Sequence, residues 1–349
     1  MERTELAPGY EISRVIRGGW QLAGGHGAIA RDAAIEDLIA TAQAGITTFD
    51  CADIYTGVEE IIGDFRVEYA RRHGTAALDA IRVHTKFVPD LAILPTISKA
   101  YVEKVIDTSR ARLKLDRLDL VQFHWWDYAA PGCLDTALWL NELRQAGKIA
   151  RVSGTNFDAA HVEAMVDAGV PITSVQVQYS LIDDRPARRM SEAAVAHGFK
   201  LLCYGTVAGG FLSDRWLGRK EPVEPQENRS LTKYKLIIDD AGGWDWFQSL
   251  LEALRMIADR HATDIATVAS RAMLDTPHVA GVIVGARNRS HLDANLAIGN
   301  LPLDAEDRAV LAAALSGRRP IEGEVYALER DRTGRHGAIM KYNLNAEPA

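Results

Sequence analysis

Cysteine is scarce in this chain: Cys51, Cys133 and Cys203 are its three thiols in 349 residues, an odd count that forms no CxxC pair. That usage fits a reducing compartment and leaves the thiols as ordinary buried groups. Blocks of basic residues are also lacking. Forty Lys and Arg are scattered among 47 Asp and Glu, for a formal net charge of -7, so no electrostatic footprint for a polyanion exists and nucleic acid is not an expected partner. The opening MERTELAPGYEISRV has no cationic start ahead of an apolar run, and no later stretch is long and apolar enough to span a bilayer. A cytoplasmic protein without membrane association is expected. No HxH or HExxH spacing occurs, which weighs against a metal-dependent barrel hydrolase and leaves no metal site to expect.

What is present is ordinary globular material, 47% hydrophobic and 25% charged, enough for a large core. Short β-branched or apolar runs alternate with segments of helical period, the signature of a parallel sheet wrapped in helices. Strands are expected at Arg14 to Gln21, Ile46 to Cys51, Ile81 to Phe87, Leu118 to Trp125, Ile149 to Asn156, Ser174 to Tyr179, Leu201 to Thr206 and Val279 to Ala286. Helices are expected near 32–44, 57–73, 97–115, 133–147, 158–168, 186–197, 246–262 and 289–298. Eight such units predict an α/β chain folded as a (β/α)8 TIM barrel. No linker rich in Pro, Gly or Ser divides residues 1–349, so a single domain is expected, with a long loop at about 207–245 and an irregular tail at about 316–349.

In such barrels chemistry occurs at the carboxyl ends of the strands. Asp50, Lys86, His124, Asn156 and Gln176 fall near those ends, and Tyr55 follows Asp50 in the next loop. Reducing a carbonyl requires a hydride for carbon and a proton for the oxygen on which charge develops. An isolated phenol titrates too high for that task at neutral pH. A nearby ammonium favours the phenolate, so Lys86 is expected to lower the pKa of Tyr55, with Asp50 keeping Lys86 charged and aimed. Tyr55 is then the acid in reduction and the base in oxidation, and His124 is expected to hydrogen-bond the carbonyl oxygen. Singly, each residue is more often a hydrogen-bonding or surface group; their order on the second, third and fourth strands is what favours catalysis. His84 and His161 are read as structural.

These residues carry a resemblance to the aldo/keto reductase family. It rests on TFDCADIY with Glu59 and Glu60 after it, VHTKF, the run SRARLKLDRLDLVQFH from Ser109 to His124, VSGTNF, SVQVQYS and GVIVGARNRSHLDANL. The motifs lie in register over essentially the whole chain. The resemblance implies a carbonyl–alcohol oxidoreductase using NAD(P)(H), with Asp50, Tyr55, Lys86 and His124 as its catalytic tetrad.

It also implies a nicotinamide site without a Rossmann fold. Thr155, Asn156 and Gln176 resemble a clamp for the carboxamide, Tyr204 a ring that stacks on the nicotinamide, and Gly205, Gly209 and Gly210 a backbone close to the pyrophosphate; Trp20 and Val207 belong to the same site. After the eighth strand, Arg287 resembles the residue that takes an adenosine 2'-phosphate, with Gly285, Asn288, His291 and Asn295 around it, so NADP(H) is expected ahead of NAD(H). Gly285 and His291 depart from the family pattern, which often has lysine at the first and arginine or glutamine at the second. Arg289 is read as a solvated charge. Gly25 to Ala30 fits a relaxed dinucleotide fingerprint, but Arg31-Asp32 starts a helix with Asp32 as cap, so those glycines precede the helix, and a Rossmann reading leaves Tyr55, Lys86 and His124 unexplained.

Trp20, Ile54, Phe87, Trp125 and Trp126 are expected to wall a pocket for a small-molecule carbonyl or alcohol, with one of the two adjacent tryptophans turned into the core by strand alternation. A rival reading is a redox sensor, because potassium-channel β subunits resemble the same barrel. Substrate identity, direction and a homo-oligomeric state stay open at this stage.

Overall fold

The protein is described here by a computed structural model that covers residues 1–23, 30–223, 226, 228–286 and 288–345. The chain begins with an antiparallel hairpin, β1 (Arg3–Ala7) and β2 (Tyr10–Ser13). Eight parallel strands then close on themselves: β3 (Val15–Gly18), β4 (Thr48–Asp50), β5 (Arg82–Phe87), β6 (Leu120–Phe123), β7 (Val152–Thr155), β8 (Ile172–Gln178), β9 (Lys200–Tyr204) and β10 (Val279–Gly285), with β10 pairing β3. All eight expected strands are barrel staves. The first ends at Gly18, short of Gln21: after a last bond from the Gly19 amide to the Asp50 carbonyl at 2.7 Å, Trp20–Leu22 turns into a 3-10 helix.

The surrounding helices are α1 (Arg31–Gln43), α2 (Val58–His73), α3 (Lys99–Leu113), α4 (Cys133–Gln145), α5 (Ala159–Asp167), α6 (Arg189–His197), α7 (Arg229–Ala241), α8 (Trp244–Arg260), α9 (Ile265–Leu274), α10 (Leu292–Asn300), α11 (Ala305–Leu315) and the short α12 (Ala327–Arg330). The eight expected helices all have counterparts here. The segment expected as loop at 207–245 is corrected in part, since α7 occupies its second half; the Asn228 side chain accepts from Leu231 N and caps it. Asp32 is likewise in the first turn of α1 and not its cap, which is Ala30. The glycine run at 24–29 lies outside the described residues.

Strand alternation sorts the side chains. Phe49, Val83, Phe87, Val121, Phe123 and Trp125 turn outward into the main core under the helices, whereas Ile16, Leu120, Leu202 and Ile283 turn into the barrel, where Leu6, Tyr10 and Ile12 of the hairpin pack against them. The hairpin therefore plugs the end at which the strands begin. His84, inside the barrel next to the plug, stacks on Tyr10 with ring centroids 6.1 Å apart; burial pushes its pKa down to about 4.

The opposite end is covered by the carboxyl-terminal tail. Ala159 N donates to Glu324, Arg330 donates to the Trp125 carbonyl, Leu91 N donates to the Tyr342 carbonyl, and Asp90 accepts the amides of Leu344 and Asn345. Arg335 and His336 pair with Asp240 of α7. Below the tail, the buried Arg185 binds Asp183 at 2.8 Å and Glu329 at 2.9 Å, a charge cluster whose members satisfy one another away from water.

Candidate active site

Ladder register decides which residues meet. Asp50 is opposite His84 across β4 and β5, Lys86 opposite Gln122 across β5 and β6, and Thr155 opposite Gln176 across β7 and β8. Residues on inward-facing positions at the carboxyl ends thus form a polar layer above the apolar one. Lys86 Nζ donates to Asp50 Oδ2 at 2.6 Å and to the Cys51 carbonyl at 2.8 Å. The other oxygen of Asp50 accepts from Gln122 Nε2 at 2.8 Å and Gln176 Nε2 at 2.7 Å. Every partner is buried, so in low dielectric these bonds hold the ammonium in one place. Burial opposes the charge on Lys86, but Asp50 and Tyr55 outweigh it and hold its pKa above the usual lysine value.

Tyr55 lies in the turn before α2, with its ring 5.0 Å from Lys86 Nζ and edge-on to Trp20 at 5.0 Å. Lys86 pulls the Tyr55 pKa down as expected, but the net result is corrected: burial raises it by more, so the phenol stays above its ordinary value. Loss of hydration penalises the phenolate more than one ammonium, itself shared with Asp50, rewards it.

His124 follows β6 and its Nδ1 stands 3.1 Å from the Thr155 carbonyl. A carbonyl can only accept, so Nδ1 carries the proton. Burial and the neighbouring Arg330 push the His124 pKa down to about 3, so at neutral pH the ring is uncharged and Nε2 presents a lone pair. That atom is buried without a partner in the protein. A hydrogen bond from His124 to a carbonyl oxygen, as expected from sequence, is not available to this tautomer; acceptance from a hydroxyl is.

The structure gathers most of the anticipated residues at this mouth. Trp126 is edge-on to His124 at 4.2 Å, and Ile54 is partly buried beside Tyr55. Phe87 and Trp125 are corrected: both are 0% exposed and pack outward, Trp125 donating to the Asp127 carbonyl, because each alternates with an inward neighbour, Lys86 or His124. Tyr204 is partly exposed at the end of β9, its hydroxyl donating to Asn156 Oδ1 at 2.8 Å. Gln176 differs from the expected free clamp in that its amide nitrogen is engaged by Asp50 and by Gln122 Oε1.

Gly205, Gly209 and Gly210 all have positive φ, a conformation that disfavours side chains. A Cβ on Gly205 or Gly209 would collide with Tyr234 of α7, whereas at Gly210 the space is open. Val207 is between them, partly buried. On the rim beyond β10, Gly285, Asn288 and His291 are exposed and Asn295 partly so; His291 caps α10. Arg287 lies outside the described residues. Arg289 is a solvated charge, 3.7 Å from Asp37. His161 stacks on Tyr128 and pairs with Asp158.

Sequence reading passed over Gln122, Tyr234, Lys233, Tyr326 and Arg330. Gln122 was legible, since it precedes His124 by two and so shares its face. Tyr326, whose ring is 5.8 Å from that of His124, has no local signal.

Fold and site together define a (β/α)8 barrel with a buried lysine–carboxylate pair and a tyrosine at its catalytic end. The chain belongs to the aldo/keto reductase family, whose profile matches residues 14–315, and is thereby a carbonyl–alcohol oxidoreductase. It is 26% identical over 315 residues to Aldo-keto reductase YhdN of Bacillus subtilis, covering 88% of this chain and 92% of that one. To the NADH-specific methylglyoxal reductase of Escherichia coli it is 22% identical over 329 residues, 86% of this chain and 94% of that one. It also matches flagellar radial spoke protein 5 of Chlamydomonas reinhardtii at 28% identity, over 64% of this chain but only 49% of that protein's length. Among solved structures, glycerol dehydrogenase AKR11B4 from Gluconobacter oxydans shares the fold with TM-score 0.74 and 20% identity, covering 90% of this chain and 95% of that one.

Proposed function

We propose that this protein interconverts an aldehyde or ketone and an alcohol by hydride transfer with a nicotinamide cofactor, and that Tyr55 is its general acid and base. The observation that carries the reading is the Lys86 ammonium, fixed 2.6 Å from Asp50 and 5.0 Å from the Tyr55 ring. When bound, the cofactor supplies or takes the hydride at the carbonyl carbon. In reduction Tyr55 gives its hydroxyl proton to the carbonyl oxygen, and Lys86 stabilises the phenolate left behind. In oxidation the phenolate takes the alcohol proton. Asp50 keeps Lys86 in position, and Gln122 and Gln176 keep Asp50. His124 Nε2 accepts from the alcohol hydroxyl and so orients it.

The residues present fit a nicotinamide cofactor. The partly exposed ring of Tyr204 offers a stacking face beside Asn156, and the open space at Gly210, which a Cβ would fill, leaves backbone free to approach a phosphate. Thr155, Asn156, Gln176, Gly205, Val207, Gly209 and Trp20 complete the site in this reading. Substrate lies against Trp20, Ile54 and Trp126. The whole chain acts as one barrel unit in the cytoplasm, on a small molecule.

Oxidation of NADPH in the presence of a panel of aldehydes and ketones tests the activity. Turnover is expected; cofactor binding with no turnover of any carbonyl or alcohol would instead favour a redox sensor. We further propose NADP(H) ahead of NAD(H), with Arg287 on the 2'-phosphate near Gly285, Asn288, His291 and Asn295. Arg287→Ala is then expected to raise KM for NADPH by roughly tenfold or more, the worth of one charge-assisted hydrogen bond, and to spare NADH. Equal effects on the two cofactors would remove that role.

A further inference from the structure

Three tyrosines surround the ammonium of Lys233 on α7. The ring centroids of Tyr204, Tyr234 and Tyr326 are 5.2, 5.5 and 5.4 Å from its Nζ. Aromatic faces attract the charge but do not take the place of oxygen acceptors for its three N–H groups. Among the described residues Nζ has no hydrogen-bond acceptor and no ion-pair partner; Glu329, which acts on it electrostatically, spends its carboxylate on Arg185.

Its location gives those idle donors a meaning. Tyr326 is the residue whose ring is 5.8 Å from His124, and Tyr204 is the residue bonded to Asn156, so Lys233 belongs to the reacting end of the site and not to its rim. Neighbouring cations are committed elsewhere. Lys86 is held by Asp50, and Arg185 by Asp183 and Glu329. Arg330, 5.5 Å from the Tyr326 ring, donates one bond to the Trp125 carbonyl, while its Nε and Nη1 are buried without partners. His124 is neutral. A chain of net charge -7 thus places two cations around one tyrosine at the mouth of the barrel, Lys233 without a protein acceptor among the described residues and Arg330 with Nε and Nη1 buried and unpartnered.

We propose that Lys233, with Arg330 across the Tyr326 ring, anchors an anionic oxygen group on the substrate, so that carbonyl compounds bearing a carboxylate or phosphate are preferred to neutral ones. This deepens the proposed function and rests on it. The same chemistry could serve the phosphates of the cofactor, since Tyr204 and Asn156 also line the proposed cofactor site; the Tyr326 ring, shared by Lys233 and Arg330 and lying 5.8 Å from His124, is what favours the substrate.

The test compares 4-carboxybenzaldehyde with 4-methylbenzaldehyde on the parent, Lys233→Met and Lys233→Arg, alongside NADPH binding by fluorescence and benzoate binding to the cofactor-free protein by calorimetry. The parent is expected to favour the carboxylated aldehyde about tenfold in kcat/KM, mainly through KM, as one charge-assisted contact requires. The ratio collapses toward one in Lys233→Met and survives in Lys233→Arg, and benzoate binding is lost with it. A parent with no preference overturns the proposal. So does Lys233→Met that keeps the ratio and loses only thermal stability, which would make the lysine a counter-charge for Glu329, or one that weakens NADPH and leaves benzoate untouched, which would assign it to the cofactor. If neither aldehyde is turned over, the proposed function fails while the benzoate measurement still judges Lys233.

Discussion

Replacing Tyr55 with phenylalanine is expected to lower kcat by on the order of a thousandfold, the scale of a lost general acid, with the barrel still folded. The ring contact with Trp20 is kept, and only the hydroxyl disappears. Circular dichroism should match the parent, and cofactor affinity should change little. The pH profile carries a second check on the same residue. Because burial raises the Tyr55 pKa, the phenol stays protonated across the neutral range and the reductive rate should be flat there, falling only on the alkaline side; oxidation, which needs the phenolate, should rise with pH. His124, with a pKa pushed down to about 3, adds no acid limb near neutrality. A phenylalanine variant within a few-fold of the parent rate would move the proton to another group.

Lys86→Met is expected to damage activity and stability together. Removing the ammonium takes away the group that stabilises the Tyr55 phenolate, and it leaves Asp50 charged in a buried layer with only the amides of Gln122 and Gln176 as partners. Breaking one side of a buried ion pair costs about 3–5 kcal/mol. Denaturant unfolding should show that loss as a lower midpoint. Adding Asp50→Asn should recover much of the stability and none of the activity, because the stranded charge is gone while the tyrosine still lacks its cation. A single variant as stable as the parent would mean that Asp50 does not depend on Lys86.

The barrel was legible because its signal is local and repeated: apolar runs ending in polar residues, each followed by a helix. The same alternation placed Asp50, Lys86, His124 and Gln176 on inward positions, and with Thr155 and Asn156 it brought the proposed cofactor clamp to one end. It also turned one of the two adjacent tryptophans outward, which is Trp125; carried further, it would have turned Phe87 outward as well and found Gln122. The helices missed at α7, α9 and α11 do carry start signals, Asn228, Asp264 and the capping box of Asp304 with Asp307, but α9 and α11 follow another helix and α7 is separated from β9 by a long connection, so they escaped a strand–helix count. The roof of the site was not readable at all. Arg185 and Glu329 are 144 residues apart in the chain, and no short-range pattern announces that such a pair will meet. The Tyr55 titration failed for a related reason: sequence shows which charges are near, not how much water has been removed.

The stopper that β1 and β2 make of the barrel's starting end, with Leu6, Tyr10 and Ile12 wedged between the staves, turns the cylinder into a cul-de-sac. With that end stopped, Tyr55 is approached and left from the same side, the end at which the strands finish. A reactant therefore meets Tyr55 with its leading end, and whatever trails behind must find its place against the tail that covers this side.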